Sequence, residues 1–126
     1  MKAIATPTAP AALGPYSQAI DAGAFVFVSG QVPVNPTTGE IPLGAAAQAE
    51  QAFSNVRAIL EAAGLGMDAV VKTTVFLSDL ADFPTVNEVY AKFFSKPFPA
   101  RSCVQVATIP KGARIEVEVI AARSGA

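Results

Sequence analysis

Residues 45–94 read AAAQAEQAFSNVRAILEAAGLGMDAVVKTTVFLSDLADFPTVNEVYAKFF, and this stretch decides the fold. From Ala45 to Ala63 the apolar positions recur every three or four residues, which is the period of one face of an α-helix. Gly64 follows, and glycine commonly ends helices. Val70–Leu77 is dominated by Val, Thr and Phe and predicts a strand. A helix followed by a strand is therefore expected at the centre of the chain.

A second helical stripe follows that strand. Its apolar positions are Phe83, Val86, Tyr90, Phe93 and Phe94. Asp79 or Asp82 is a candidate cap for its start. Two prolines, at positions 97 and 99, prevent the helix from continuing further.

Strands are predicted on both sides of this central stretch. Ser17–Ile20 and Ala24–Val28 form a candidate hairpin, and residues 35–40 have loop composition. Ser102–Ala107 and Arg114–Ala122 are the last strands. The order β-β-α-β-α-β-β predicts one α+β domain over residues 1–126, with two helices on one face of the sheet. The other face then requires a cover, and other subunits would provide it.

The composition favours an oligomer and disfavours nucleic acid as a partner. Charged residues make up 15 % of the 126 residues, against ~25 % in ordinary soluble domains, and hydrophobic residues make up 52 %. Part of each subunit's surface is therefore expected to face another subunit, as in a homo-oligomer. Nine basic and ten acidic side chains give a net charge of −1, which offers no general attraction to phosphate backbones.

The absence of histidine and the single cysteine limit the possible chemistry. One thiol cannot form a disulfide within the chain, and zinc sites with imidazole ligands and Ser-His-Asp or Cys-His systems are excluded. Proton transfer must use Asp, Glu, Lys, Tyr or water. Two charge-free stretches, residues 3–20 and 22–39, reach membrane-spanning length, but prolines interrupt the first and glycine, asparagine and prolines interrupt the second, so no membrane helix is expected. The start of the chain also lacks the continuous apolar stretch of a secretory signal. We expect a cytoplasmic protein in which Cys103 stays reduced.

Glu116 is the first candidate site residue. The last strand contains the sequence Ile-Glu-Val-Glu-Val over residues 115–119, which places Glu116 and Glu118 on one face. Alternating Glu and Val is also the ordinary pattern of a half-buried strand with solvent-facing acids. A functional role requires that one glutamate be shielded at an interface, where burial raises its pKa and fits it for proton transfer.

Arg101 is the second candidate. It follows Phe98-Pro99-Ala100 and opens a predicted strand, and a guanidinium suits a small organic acid because it can grip a carboxylate through two parallel hydrogen bonds. An arginine at a strand edge is also an ordinary surface charge. Cys103 shares the strand face of Arg101 and, without a histidine base, is expected to be a small buried residue rather than a nucleophile.

The remaining candidates are weak when taken singly. Tyr16 follows Gly14-Pro15, and Ser29 precedes Gly30, so each lies in a turn-like context where backbone or an aromatic ring could approach a ligand. Asn87 is predicted on the polar side of the second helix, where a solvated role is the default.

Taken together, several blocks resemble one known family. These blocks are Gly14-Pro-Tyr-Ser-Gln-Ala, Val28-Ser-Gly-Gln-Val-Pro-Val-Asn-Pro, Asn55-Val56 ahead of Ala62-Ala-Gly, Val71-Lys-Thr-Thr-Val-Phe-Leu, Phe98-Pro-Ala-Arg-Ser-Cys-Val and Ile115-Glu-Val-Glu. Over essentially the whole chain and in this order, they resemble the RidA (YjgF-type) reactive intermediate deaminases, also called the endoribonuclease L-PSP or translation initiation inhibitor family. The loop before Phe98 is shorter than in some relatives.

This resemblance implies a chorismate-mutase-like, ferredoxin-like related mixed sheet and a homotrimer. It also implies clefts between subunits that hydrolyse 2-imino or enamine acids, such as 2-iminobutanoate and 2-iminopropanoate, to 2-oxo acids and ammonia, without a cofactor or metal. By position, Arg101 corresponds to the carboxylate clamp and Glu116 to the residue that orients water and handles protons. The resemblance places five further residues in the pocket lining: Tyr16, Ser29, Gly30, Asn87 and Cys103.

One geometric difficulty remains open in the sequence. If the last two strands pair as a hairpin, Glu116 lies opposite residue 106 or so, which is about 16 Å along the strand from Arg101. One small substrate cannot span that distance. Either another strand separates the two, or neighbouring subunits complete the site.

Alternative functions also remain open at this stage. A trimer that binds small carboxylates without turnover would keep Arg101 alone, and a chaperone-like role would not depend on Glu116. Ribonuclease or translation-inhibiting activity fits poorly with the charge balance and the absence of histidine.

Overall fold

A computed structural model describes residues 1–123 and contains one six-stranded sheet and two α-helices. The helices are α1 (Ala45–Ala62) and α2 (Phe83–Phe93). The strands are β1 (Lys2–Ile4), β2 (Ala19–Asp21), β3 (Phe25–Gln31), β4 (Val70–Leu77), β5 (Ala100–Gln105) and β6 (Ile115–Ala122). The α+β class and the predicted order of the two helices and five of the strands are confirmed.

The strands lie in the order β1-β2-β3-β6-β4-β5. Only β4 and β5 run parallel, and α2 connects them as a crossover helix. The last strand, β6, pairs with β3 on one side and with β4 on the other. β5 and β6 are therefore not a hairpin, and β4 separates them.

Several strands differ from the sequence prediction; β3, for example, covers Phe25–Gln31 rather than Ala24–Val28, and β6 begins at Ile115 rather than Arg114. β1 was not predicted, because a strand of three residues carries too little pattern. β2 begins at Ala19 rather than Ser17, because the Ser17 carbonyl accepts the side-chain hydroxyl of Ser29 instead of a ladder N–H. β5 covers Ala100–Gln105 rather than Ser102–Ala107, because its pairing with β4 begins at Lys72 and Ala100.

Both helices cover the same face of the sheet. Phe53 of α1 is fully buried, and its ring contacts the rings of Tyr90 and Phe93 on α2 at centroid distances of 5.6 and 5.4 Å. Beneath them, alternate residues of the central strands are buried, such as Val75 on β4 and Val117 on β6. Burial of such side chains contributes ~1.5–3 kcal/mol each. This layer forms the hydrophobic core.

The opposite face of the sheet carries no helix among the described residues. It exposes Phe25, Phe27 and Val104, each between 43 and 46 % accessible, beside the half-buried Ile120. We call this the open face. Exposed aromatic side chains at adjacent sheet positions are typical of a surface that packs against protein.

The start of α2 is fixed by two aspartates with different roles. Asp79 accepts a hydrogen bond from the backbone of Ala81 at 2.9 Å and caps the short 3₁₀ turn at Leu80–Asp82. Asp82 does not cap α2; it accepts two hydrogen bonds from Arg114, at 2.7 and 2.9 Å. This bidentate pair ties the residue just before β6 to the start of α2.

None of the helices in residues 1–123 is both long and apolar enough to cross a bilayer.

Candidate active site

Arg101 lies on β5, at the edge of the sheet, beside helix α2. Its Nη1 donates a 2.6 Å hydrogen bond to Oδ1 of Asn87. The guanidinium carbon lies 4.7 Å from the ring centre of Tyr90 and 5.3 Å from that of Phe83. In the described part of the chain Nε and Nη2 have no partner, so several N–H groups of this guanidinium are free to bind a ligand.

A cleft of about 430 Å³ opens next to this guanidinium. We call it the Arg101 cleft; it is lined by Arg101, Asn87, Tyr90, Ala91, Phe98 and Pro99. The two prolines at positions 97 and 99 stiffen the chain immediately before Arg101. The positioned guanidinium expected from the sequence is therefore present.

Asn87 lines the Arg101 cleft, and the pocket role that the family resemblance implies for it stays a prediction. Asn87 is half-buried and faces Arg101 rather than solvent alone. The reason is helical geometry: Phe83, Asn87 and Tyr90 are spaced i, i+4, i+7 and therefore share one face of α2. The same spacing could have indicated in the sequence that both aromatic rings would lie beside Asn87.

Cys103 lies two residues beyond Arg101 and faces the same side of the sheet, as predicted. In the register of β4 and β5, Arg101 pairs with Thr73 and Cys103 pairs with Val75. Cys103 packs against the hydrophobic core, and burial raises the pKa of its thiol, although Arg101 opposes the shift. A thiol with a raised pKa is a poor nucleophile at neutral pH.

Glu116 lies on the open face, in a second cleft of about 950 Å³. We call this the Glu116 cleft; its lining includes Glu116, Glu118, Tyr16, Ser29, Gly30 and Lys111. Burial raises the pKa of the Glu116 carboxyl, and the nearby Glu118 carboxylate raises it further. Glu116 is half-buried and Glu118 is more exposed beside it. The shielding of Glu116 at an interface, which the functional interpretation requires, stays a prediction.

Gly30 allows the Glu116 carboxyl to occupy its position. A Cβ at residue 30 would overlap Oε2 of Glu116 and lie 3.0 Å from its Cδ. The ladder between β3 and β6 shifts register between Val28 and Gln31, so Gly30 lies in a bulge that brings backbone against the carboxyl. The sequence showed a glycine beside a serine but not the side chain that it accommodates.

The walls of the Glu116 cleft are held by buried polar side chains. Ser29 donates from its hydroxyl to the Ser17 carbonyl at 2.6 Å, and this bond holds the segment next to Tyr16 against β3. Asn55, buried on α1, donates to the carbonyls of Val32 and Val34 at 3.1 and 3.0 Å. Asn55 had no assigned role in the sequence; its contacts show that it holds the loop after β3.

Within one chain the two clefts lie on opposite faces of the sheet. Arg101 pairs with Thr73, which is buried beneath the helices, whereas Glu116 pairs with Phe76, which faces the open side. Two strand spacings across and three residues along β4 place their Cα atoms roughly 14 Å apart. The intervening strand proposed from the sequence is therefore real, but it does not bring the two groups together.

The fold and these clefts define an α+β protein with a six-stranded sheet, a free guanidinium on one face and a shielded glutamate on the other. Residues 6–123 match the family model described as Endoribonuclease L-PSP. The chain is 58 % identical to the 2-iminobutanoate/2-iminopropanoate deaminase of Escherichia coli strain K12, over 97 % of this chain and 98 % of that protein.

Solved structures agree with this match. E. coli TdcF, crystallised with bound serine, superposes with a TM-score of 0.95 at 52 % identity, over 98 % of this chain and 100 % of that one. RidA from the Antarctic bacterium Psychrobacter sp. superposes with a TM-score of 0.95 at 49 % identity, with the same coverage. The chain belongs to the endoribonuclease L-PSP family, and the predicted resemblance to RidA proteins is confirmed.

Proposed function

We propose that this protein is a 2-iminobutanoate/2-iminopropanoate deaminase that hydrolyses reactive 2-imino and enamine acids to 2-oxo acids and ammonia. The observation that carries the proposal is a positioned guanidinium with free N–H groups, in a chain 58 % identical to a deaminase of that name. Serine bound to the relative TdcF, a small molecule with a carboxylate, is consistent with a site for small organic acids.

The complete site requires two copies of the chain. Because Arg101 and Glu116 lie on opposite faces of one sheet, a single small substrate can reach both only where the Arg101 cleft of one copy meets the Glu116 cleft of another. The apolar open face, which includes Phe25 and Phe27, supplies a surface for this association. The assembly proposed is the homotrimer that the family resemblance implies, located in the cytoplasm.

Arg101 binds the substrate carboxylate in this mechanism. Two parallel N–H···O bonds fix the acid group, and Asn87 together with the aromatic rings on α2 fixes the guanidinium. The imine carbon is then held at a constant place relative to the opposite wall, which favours reaction through orientation. Tyr16, Ser29, Gly30 and Cys103 complete the lining of the pocket.

Glu116 orients the attacking water and transfers protons. A protonated imine carbon is already electrophilic, so a water oriented by the Glu116 carboxylate attacks it and passes a proton to Glu116. Glu116 returns that proton to the amino group of the carbinolamine, the C–N bond breaks, and the departing ammonia takes the remaining hydroxyl proton and leaves as ammonium. One iminium and one water give one 2-oxo acid and one ammonium ion. A raised pKa suits Glu116 to both accepting and returning the proton.

A mixture of two inactive variants tests the shared site. Arg101→Ala and Glu116→Gln are each expected to lose most ammonia release from freshly generated 2-iminobutanoate, because each removes a charge-assisted contact worth ~2–4 kcal/mol. The two variants are unfolded together in equal amounts and refolded. A site is then intact only where a Glu116→Gln copy, which keeps Arg101, meets an Arg101→Ala copy, which keeps Glu116. In random assembly each of these two positions is filled correctly with a probability of one half, so about a quarter of wild-type activity is expected.

The outcomes separate the alternatives. No recovered activity in the refolded mixture, while a wild-type sample treated identically recovers, would contradict the shared site. A wild-type protein that does not accelerate ammonia release over the buffer rate would contradict the deaminase and favour a carboxylate-binding protein without turnover. RNA cleavage that is lost in Arg101→Ala would instead favour a ribonuclease.

A further inference from the structure

Arg101 has an exposed side chain whose guanidinium is contacted by three residues of its own chain. A free arginine side chain carries ~2 kcal/mol of rotamer entropy, much of which is lost when it binds a ligand. Here Asn87 holds one nitrogen at 2.6 Å, and the rings of Tyr90 and Phe83 lie 4.7 and 5.3 Å from the guanidinium carbon. The guanidinium is therefore ordered by its own chain before any ligand arrives.

The Tyr90 ring cannot shift easily. It is only 6 % exposed, and it packs against Phe53 and Phe94 with centroid distances of 5.6 and 4.5 Å. Its hydroxyl shares a 2.9 Å hydrogen bond with Oγ1 of Thr73, which is fully buried. The ring that contacts Arg101 is thus fixed at its face by packing and at its tip by a hydrogen bond.

Thr73 also connects this ring to the backbone that carries Arg101. In the parallel register of β4 and β5, Thr73 pairs directly with Arg101. Asn87 and Tyr90 both lie on α2. The hydrogen bond between Thr73 and Tyr90 therefore holds this helix next to the part of the sheet that carries Arg101. As a result, the strand that carries Arg101 and the helix that contacts its guanidinium stay at a constant distance from each other.

We propose that Tyr90 is a positioning residue for Arg101: its ring fixes the plane of the guanidinium, and the Thr73 hydroxyl fixes the ring. This inference rests on the proposed function, because it assumes that Arg101 binds the substrate carboxylate. The free energy of a contact between a cation and an aromatic ring corresponds to about a threefold to thirtyfold change in affinity. Tyr90 is not a catalytic residue, since its effect passes through Arg101.

The larger effect is expected on binding. The carboxylate is held in both the ground state and the transition state, so a less ordered clamp raises KM by more than the loss of substrate orientation lowers kcat. General loss of stability would not produce that separation. The dissociation constant for 2-oxobutanoate, a stable carboxylate analogue, reports the same quantity without turnover.

The experiment measures 2-oxobutanoate binding by calorimetry, and KM and kcat for 2-iminobutanoate, in four assembled variants. Tyr90→Leu removes the ring and is expected to weaken binding about tenfold. Tyr90→Phe and Thr73→Val remove only the hydrogen bond; each is expected to weaken binding about twofold to threefold, and their double variant no more than either single one.

Phe93→Leu is the matched control. Phe93 belongs to the same aromatic cluster, 5.4 Å from Phe53, and lies 5.1 Å beneath the guanidinium of Arg57, outside the Arg101 cleft. It is expected to lower thermal stability as Tyr90→Leu does and to leave 2-oxobutanoate binding unchanged. Equal weakening of binding by Phe93→Leu would overturn the proposal.

A second comparison uses the Arg101→Ala background. There, Tyr90→Leu is expected to have no further effect on residual binding: Tyr90 also lines the Arg101 cleft, but its proposed effect passes through the guanidinium and not through direct contact with the ligand. A persisting effect would show a merely structural role and overturn the proposal. Should Tyr90→Leu fail to fold, Tyr90→Phe and Thr73→Val, which keep the core volume, carry the same comparison. If the wild-type protein releases no ammonia but the variants show this pattern of 2-oxobutanoate binding, the proposed deaminase activity is overturned and the positioning role of Tyr90 is supported.

Discussion

The carboxyl group of Glu116 lies against the Cα of Gly30, at a place where any Cβ on residue 30 would overlap it. The contact arises from the register shift in β3, which moves backbone toward the neighbouring strand β6. The absence of a Cβ at residue 30 therefore determines where the Glu116 carboxyl can lie. The carboxyl is half-buried by this contact, and burial raises its pKa.

Gly30→Ala is expected to preserve the fold and impair the reaction. The obstructing atom is the end of a flexible side chain, so Glu116 can rotate away while β3 stays in place. A displacement of about 1 Å in a catalytic group costs on the order of 100-fold in rate. Kinetics and thermal unfolding of Gly30→Ala measure both effects. Adding Gly30→Ala to Glu116→Gln should cause no further loss; an additive loss would contradict this explanation.

Glu116→Gln is expected to raise stability at neutral pH. A raised pKa means that the folded state binds the Glu116 proton more tightly than the unfolded state does. The free energy of unfolding of the wild type therefore falls as the pH rises from the ordinary value of 4.5 through the raised value. Because the carboxyl is partly solvated, the gain at pH 8 is expected to be small.

Urea titrations of both proteins at pH 4 and pH 8 measure this difference. The two unfolding free energies should approach each other at pH 4, where the wild-type carboxyl is mostly protonated in both states. A variant that is less stable than the wild type at pH 8 would show that the ionised carboxylate stabilises the fold instead.

Glu118→Gln is expected to shift the acid limb of the pH–rate profile. The negative charge of Glu118 disfavours ionisation of Glu116 and so raises its pKa. Removing that charge lowers the pKa of Glu116, and the acid limb of kcat/KM moves to lower pH. Glu50→Gln, an exposed carboxyl on α1, is the control and should leave the profile in place. An acid limb that stays put in Glu118→Gln would argue against Glu116 as the titrating base.

Phe27→Asp is expected to dissociate the assembly and abolish activity together. Phe27 lies in the middle of the open face and is 46 % exposed in the isolated chain. A buried, unpaired carboxylate there would strongly disfavour association, while the core beneath the helices is untouched. Light scattering and circular dichroism distinguish loss of assembly from unfolding. Leu43→Asp, at a 94 % exposed position away from the sheet, should leave mass and activity unchanged.

Much of the local structure is predictable because it depends on near neighbours in the chain. The apolar period around Phe53 predicts α1, and the composition of Val70–Leu77 predicts β4. The alternation at 115–119 places Glu116 and Glu118 on the exposed side and Val117 in the core, as observed. These patterns survive in the sequence because each one encodes the side of its element that faces the core.

The residues around the candidate site were only partly predictable. Residue type and family resemblance indicate Arg101 and Glu116 as candidates, and each lines a cleft in the structure. The contact of Arg101 with the Tyr90 ring was not predicted, and Gly30 was a candidate pocket residue without its contact to Glu116. Tyr90 was interpreted only as a core residue, although its helical spacing from Asn87 carried the signal. The contact with Gly30 had no local signal, since it depends on a bulge between distant strands.

By itself the sequence determined the two helices, most strands and the chemical types available for a site, because hydrophobic period and residue identity are local properties. The tertiary structure alone decided that β6 enters between β3 and β4 and that Arg101 and Glu116 lie on opposite faces of the sheet. Strand order and register arise from contacts between residues far apart in the chain. A one-residue change in register reverses which face a side chain occupies, so no local pattern could have fixed that relationship.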